Sequence, residues 1–255
     1  MPRLKLYLIR HSLSCANLAQ VYCKWFLKKL QKSWSCQDPV LATWPFFSDR
    51  DPAIIKEIDL LRAKLATLRI QRVLSSCLLR AMETAHALFP TAKITPVPYI
   101  AEHGPGYDNV ALAWEQQQAI LLSKYAKDLT WIDQSYVSFC PQVDKVNFAK
   151  FLKFVKDGIV PPGDETYSVA VVTHSHFMKS IFEQLGLAKE TGWKQIRNNS
   201  VYLLEYDLLS LRLLDKSVIH TGFAPPDKFE PWFVDRCETD CKDLVTSCSK
   251  SGSRD

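Results

Sequence analysis

The sequence predicts an α/β fold, a three-layer α/β/α sandwich around a mostly parallel central sheet, with helical and loop insertions forming a lid. Three observations carry that expectation. The apolar run Leu4 to Ile9 is short, branched and closed at once by Arg10 and His11. Such a run suits a strand covered on both faces, as strands of parallel sheets are. A second run of this kind, Val169 to Val172, passes straight into Thr173-His174-Ser175-His176. Between them lie segments with helical spacing, clearest where Ile54, Ile58, Leu61, Leu65 and Leu68 recur.

Each element follows from local chemistry. In open α/β sheets ligands sit beyond the carboxyl ends of the strands, which is where Arg10 and His11 fall. Ser14 to Asn17 should open a helix, whose free N–H groups attract phosphate. Val21 to Trp34 interleaves Trp25, Phe26, Leu27 and Leu30 with Lys24, Lys28, Lys29 and Lys32. It reads as a surface helix covering the fold with its lysine stems, with membrane association as the minor alternative. Cys36 to Pro52 holds Pro39, Pro45 and Pro52 among aromatic residues and reads as an ordered loop. A helix is expected from about Ala53 to Leu68, capped by Asp49 or Asp51.

A strand at Arg72 to Ser75 should lead into a helix bearing Arg80 that stops before Pro90, and Ile94 to Val97 is the next strand candidate. Helices are expected over Leu112 to Leu129 and Asp144 to Lys156. Phe177 to Leu185 should form another, ended by Gly186. Ser200–Tyr206 and Leu208–Leu214 make a strand pair. From Pro225 the chain turns polar and irregular. The expected organisation is one domain over residues 1–224, with insertions at about 20–52 and 103–165, and a tail over 225–255.

Composition narrows the function classes. Of 255 residues, 47% are hydrophobic and 23% charged, ordinary for a globular protein. The formal charge of +5 favours anionic small molecules but falls short of the density nucleic-acid binding needs. No apolar run approaches the roughly 20 residues of a membrane helix. The first strand begins near Leu4, so no secretory leader is expected. Eight cysteines show no paired framework, which points to reduced thiols and a cytoplasmic protein. Cys237 and Cys241 are not spaced as a zinc knuckle, so no metal site is expected.

The chemistry lies in four stretches. They are Arg10-His11-Ser12, then Ser75-Ser76-Cys77-Leu78-Leu79-Arg80-Ala81-Met82-Glu83-Thr84-Ala85, then Pro98 to Glu102, then Thr173-His174-Ser175. A planar guanidinium binds a phosphoryl group through paired hydrogen bonds, so Arg10 and Arg80 suit a phosphate clamp. A neutral imidazole is nucleophilic near pH 7, and a second histidine, if protonated, would stabilise charge developing on phosphoryl oxygens. A carboxyl group with a raised pKa can protonate the leaving alkoxide and then activate water. The residues alone leave Glu102, Asp108, Glu115 and Glu165 open as the acid. They also leave His176 open beside His174, since alternation places residues two apart on one strand face.

Together these stretches resemble the histidine phosphatase superfamily, whose members include phosphoglycerate mutases, discontinuously over about residues 4–206. The resemblance implies that His11 is the phosphorylated nucleophile and His174 the second histidine. It implies phosphate-binding roles for Arg10, Arg80 and Asn17, and gives Glu102 the role of proton donor. Ser12 and Ser175 stand where the family has glycine, each adding a side chain near the phosphate. Leu13 stands where phosphoglycerate mutases have an acidic or amide residue, and their Gly-Trp-x-Asp stretch is not recognisable. Arg197, Asn198 and Asn199 precede a strand and are candidates for the site's edge. His86, His103 and His220 are expected in structural or surface roles.

The expected function is a metal-independent, cofactor-free phosphatase that hydrolyses a phosphomonoester through a phosphohistidine. Its partner would be a small phosphorylated substrate or a phosphoprotein, with no nucleic acid. The alternatives are a mutase-like phosphoryl transferase and a catalytically silent module that binds phosphate or phosphopeptide.

Overall fold

The computed structural model describes residues 2–14, 17, 52–102, 114–124, 129–133, 135, 147–163 and 165–223. The Val21–Trp34 segment, the proline-rich loop to Asp51, His103, Asp108 and the tail from Pro225 lie outside the described residues.

Six strands form one sheet, β1 (Arg3–Arg10), β2 (Arg72–Ser76), β3 (Ile94–Val97), β4 (Thr166–Thr173), β5 (Val201–Asp207) and β6 (Leu213–His220). Their spatial order is β3-β2-β4-β1-β5-β6. β1 runs parallel to β4 in register from Arg3 opposite Thr166 to Arg10 opposite Thr173. β2 is parallel to both β4 and β3, while β5 is antiparallel to β1 and β6 to β5. The sheet is therefore mostly parallel, and β1, β2, β3 and β4 all present their carboxyl ends at one edge. Pro96 is tolerated because β3 is an outer strand, where a missing N–H costs no ladder bond on the open side.

The period of two in the apolar runs supplies both faces of the sheet. Leu4, Leu6 and Leu8 of β1 join Val169 and Val171 of β4 in one core. Tyr7, Ile9, Ala170 and Val172 face the opposite way into the other. The first core is covered by α4 (Phe148–Phe154) and α5 (Ser175–Gln184), through Phe151, Phe177, Met178 and Ile181. The second is covered by α1 (Pro52–Ala66) and α2 (Leu79–Leu88), through Ile58, Leu61, Leu65, Met82 and Ala85. Leu121 of α3 (Trp114–Lys124) joins that same side. This is the predicted three-layer arrangement. No described helix is long and apolar enough to cross a membrane.

Local signals account for the boundaries. Gly186 ends α5 at φ +72°, with its N–H bonded to Glu183 O at 3.1 Å and Leu187 N–H to Phe182 O at 2.7 Å. Those two bonds are a Schellman cap, which a glycine in the left-handed region makes cheap. Asn147 caps α4 by accepting the Lys150 N–H at 3.0 Å. The helix expected to Lys156 instead widens into a π turn over Val155–Ile159. The strand expected at Leu208–Leu214 begins only at Leu213. The Asp207 carboxylate accepts the N–H groups of Leu209 and Ser210 at 3.0 and 2.7 Å, and so folds those residues into a turn.

Candidate active site

The site is assembled at the edge where the parallel strands end. His11 N–H donates to Thr173 O at 2.9 Å, continuing the β1–β4 ladder one residue past Arg10. That bond sets the first histidine beside the end of the strand leading to His174. The two imidazoles lie with ring centroids 5.1 Å apart. Arg80 comes from the first turn of α2, at the end of β2, and is buried. Glu102 follows the tight turn Pro98–Ile100 after β3. Thr173 Oγ1 fastens that turn to β4 by donating to Ile100 O at 2.6 Å.

The tautomer of His11 follows from its partner. Nδ1 lies 2.7 Å from the Ser12 carbonyl oxygen. A carbonyl can only accept, so Nδ1 carries the proton and Nε2 keeps its lone pair. Burial, then Arg80 and Arg10, hold the His11 pKa well below the ordinary histidine range. Near pH 7 it is the neutral nucleophilic form. His174 is held low for the same reasons, burial first and then Arg80. Near pH 7 it too is neutral, and negative charge arriving beside it would favour the protonated form in which it could stabilise charge. His174 Nε2 lies 2.8 Å from Ser76 Oγ, which also accepts the Leu78 N–H at 3.2 Å.

Among the described residues, Glu102 is the carboxylate beside His174 and His176. Oε2 lies 3.8 Å from His174 Nδ1, and Oε1 lies 2.9 Å from His176 Nδ1. Burial raises its pKa more than His176, Arg80 and Arg10 lower it. That is the direction a proton donor needs. Arg10 falls to about 10, chiefly from burial, and remains charged at neutral pH. Its Nη1 donates to Ile196 O at 2.7 Å.

The structure thus brings Arg10, His11, Arg80, Glu102 and His174 to one sheet edge. Asn17 reaches it through Asn198, whose Nδ2 donates to Asn17 Oδ1 at 2.9 Å. Among the described residues, the competitors separate by position. Glu165 stands at the opposite edge, where its carbonyl accepts the Arg3 N–H. Glu115 is exposed at the start of α3. His176 lies in the first turn of α5, beyond the end of β4, so the alternation that kept it open does not apply. Its side chain is 66% exposed where that of His174 is 0%. His86 stacks on Trp131, and His220 pairs with Glu57 at 2.6 Å.

Two contributors were weakly marked or unmarked in the sequence. Asn198 also donates to the carbonyls of His11 and Ser12, at 3.0 and 3.2 Å. Thr84 Oγ1 accepts the Ser12 N–H at 2.9 Å and donates to Arg80 O at 2.7 Å, tying the β1 exit to α2. The polar run Arg197-Asn198-Asn199 ahead of a strand was the sequence signal for Asn198. Thr84 belongs to the Arg80-Ala81-Met82-Glu83-Thr84-Ala85 stretch that carried the resemblance, but nothing in the sequence gave it a role.

A family model described as the histidine phosphatase superfamily (branch 1) matches residues 55–215. That span holds Arg80, Glu102 and His174 but begins after Arg10 and His11, which the β1–β4 register brings to the same place. A phosphoglycerate mutase from Bacillus anthracis str. Sterne is similar in fold at 17% identity, covering 86% of this chain and 94% of its own, with a TM-score of 0.50. A phosphoserine phosphatase from Entamoeba histolytica aligns at 17% identity over 79% of this chain and 90% of its own, TM-score 0.42. A phosphoglycerate mutase from Plasmodium falciparum aligns at 12% identity over 90% and 98%, TM-score 0.42. No curated protein sequence is significantly similar. The family match covers more than half of the chain, and the chain belongs to the histidine phosphatase superfamily, branch 1.

Proposed function

We propose that this chain is a metal-independent phosphatase that hydrolyses a phosphomonoester through a phosphohistidine on His11. One observation carries the reading. His11 is buried between two arginines and a second histidine, with its proton committed to Ser12 O and its Nε2 lone pair kept. In the first step Nε2 bonds to phosphorus as the ester P–O bond breaks, and the leaving oxygen takes the Glu102 proton. In the second, Glu102 takes a proton from water, the water oxygen bonds to phosphorus, and His11 leaves. Arg10 and Arg80 hold the phosphoryl oxygens throughout, supplying charge that a metal provides in other phosphoryl-transfer sites.

Hydrolysis is favoured over mutase-like retransfer by Leu13. It is a buried apolar side chain at the position where phosphoglycerate mutases generally have an acidic or amide residue. The substrate would be a small phosphomonoester or a phosphoprotein, and the compartment the cytoplasm. The test is hydrolysis of p-nitrophenyl phosphate in EDTA by wild type and His11→Ala. Turnover should survive chelation and fall by more than about 10³-fold in the variant, the loss expected when a covalent nucleophile is removed. A wild type that binds vanadate without turnover would replace this reading with the binding module.

A further inference from the structure

We propose that His176 is a positioning residue for the acid–base carboxyl: it holds Oε1 of Glu102 so that the transferable proton rides on Oε2, the oxygen turned toward His174. The inference rests on the reading of Glu102 as proton donor. It adds a residue that was only a rival for the His174 position.

Oε1 receives two donors from one residue. The His176 backbone N–H lies 3.2 Å from it and the ring Nδ1 lies 2.9 Å from it. The ionised carboxylate only accepts, so in that state Nδ1 carries a proton there, beside the backbone N–H that donates to the same oxygen. Two N–H groups on one oxygen repel a third proton, which leaves Oε2 to carry the acidic one. Oε2 sits 3.8 Å from His174 Nδ1, which is itself buried without a hydrogen-bond partner. The proton is thereby presented on the inner side of the cluster. It passes from Oε2 to the ester oxygen as the P–O bond breaks, and Oε2 regains one from the attacking water. His176 exchanges no proton with the substrate.

The His176 side chain is mostly exposed, so burial contributes little to holding it there. Among the described residues, the groups facing Glu102 are His174 and His176 from α5 and its cap, Arg80 from α2 and Arg10 from β1. Of these, His176 is the one whose side chain lies within hydrogen-bond distance of the carboxyl.

The test uses the full chain with His176→Ala and His176→Asn, since an asparagine Nδ2–H can replace the ring Nδ1–H. The first readout is the ¹³C titration of the Glu102 carboxyl, assigned with Glu102→Gln, which needs no turnover. Removing a donor that favours the carboxylate should move that titration to higher pH in His176→Ala, with return toward wild type in His176→Asn. The second is the ratio of kcat on an alkyl phosphomonoester to kcat on p-nitrophenyl phosphate. An alkoxide needs the proton far more than nitrophenolate does, so the ratio should drop about tenfold in the alanine variant and recover in the asparagine one. An unchanged titration and an unchanged ratio overturn the proposal. An inactive wild type whose Glu102 titration still moves overturns the hydrolytic reading and supports the hold of His176 on the carboxyl.

Discussion

The Asn198 amide binds the chain together where His11 leaves its strand. One NH2 group serves the carbonyls of His11 and Ser12 and the side chain of Asn17. Truncation to alanine strands those acceptors in a buried place, a cost of about 1–3 kcal/mol. Asn198→Ala should therefore lower the thermal midpoint and reduce kcat/KM about tenfold or more, because a histidine shifted by a fraction of an ångström loses its line to phosphorus. An intact kcat/KM in a destabilised variant would confine Asn198 to folding. Ser12 poses the opposite question. Its hydroxyl is buried without a hydrogen-bond partner, so Ser12→Gly removes an unsatisfied group while adding unfolded-state freedom. These terms are each about 1 kcal/mol and oppose one another, so thermal stability should change little and activity should be retained. Loss of turnover in Ser12→Gly would show that the serine works in the site. The sequence marked the charged and ring-bearing residues because phosphoryl chemistry demands those types. It did not mark Asn198 or Thr84 strongly, because their partners lie 187 and 72 residues away and an amide or hydroxyl is as common in a turn.

At the scale of elements, the strands that deliver the site were legible because each is an apolar run cut off by polar residues. β1, β4 and the β2–α2 step all appear within a residue or two of their expected bounds at their carboxyl ends. The late strand pair was less legible, since an aspartate turn at Asp207 delays β6 while leucines continue through it. The segment after β6 then closes on the site from outside. Gly222 sits at φ +87°, and a Cβ there would come 2.6 Å from Asn198 O and 2.9 Å from Ser200 N. Phe223 N–H donates to the same Asn198 carbonyl at 2.7 Å. Gly222→Ala meets both a disfavoured backbone region and fixed backbone atoms, so a cost above about 2 kcal/mol is expected. Because the displaced loop carries Asn198 and receives Arg10 through Ile196, phosphatase activity should fall further than the midpoint alone explains. Equal activity per folded molecule would show that the strap is only structural.

The whole molecule carries an electrostatic cost concentrated at one sheet edge, where two arginines and two histidines share a buried space. The fold meets it by keeping His11 and His174 neutral, each with a pKa well below the usual 6.5. The sign of the pH dependence follows. Below about pH 6.5 the unfolded chain binds protons that these native histidines refuse, so stability falls as pH falls, by about 1.4 kcal/mol per unit for each group. Glu102 works the other way. Its raised pKa gives stability that is present below its unfolded value and lost as pH rises through the folded one, so its proton uptake offsets part of the loss in acid. Two histidines against one carboxyl leave a net fall, and the unfolding free energy should decline steeply between pH 6.5 and pH 5. His174→Gln removes one of the two and should flatten that slope. Inorganic phosphate should flatten it as well, since an anion between the arginines favours the charged imidazoles, and saturation at a hundred times Kd adds about 2.7 kcal/mol. Denaturant unfolding at pH 5, 6 and 7, with and without phosphate, measures both effects. A slope that neither the substitution nor the anion alters would place the acid sensitivity elsewhere and remove the charge coupling that this site requires.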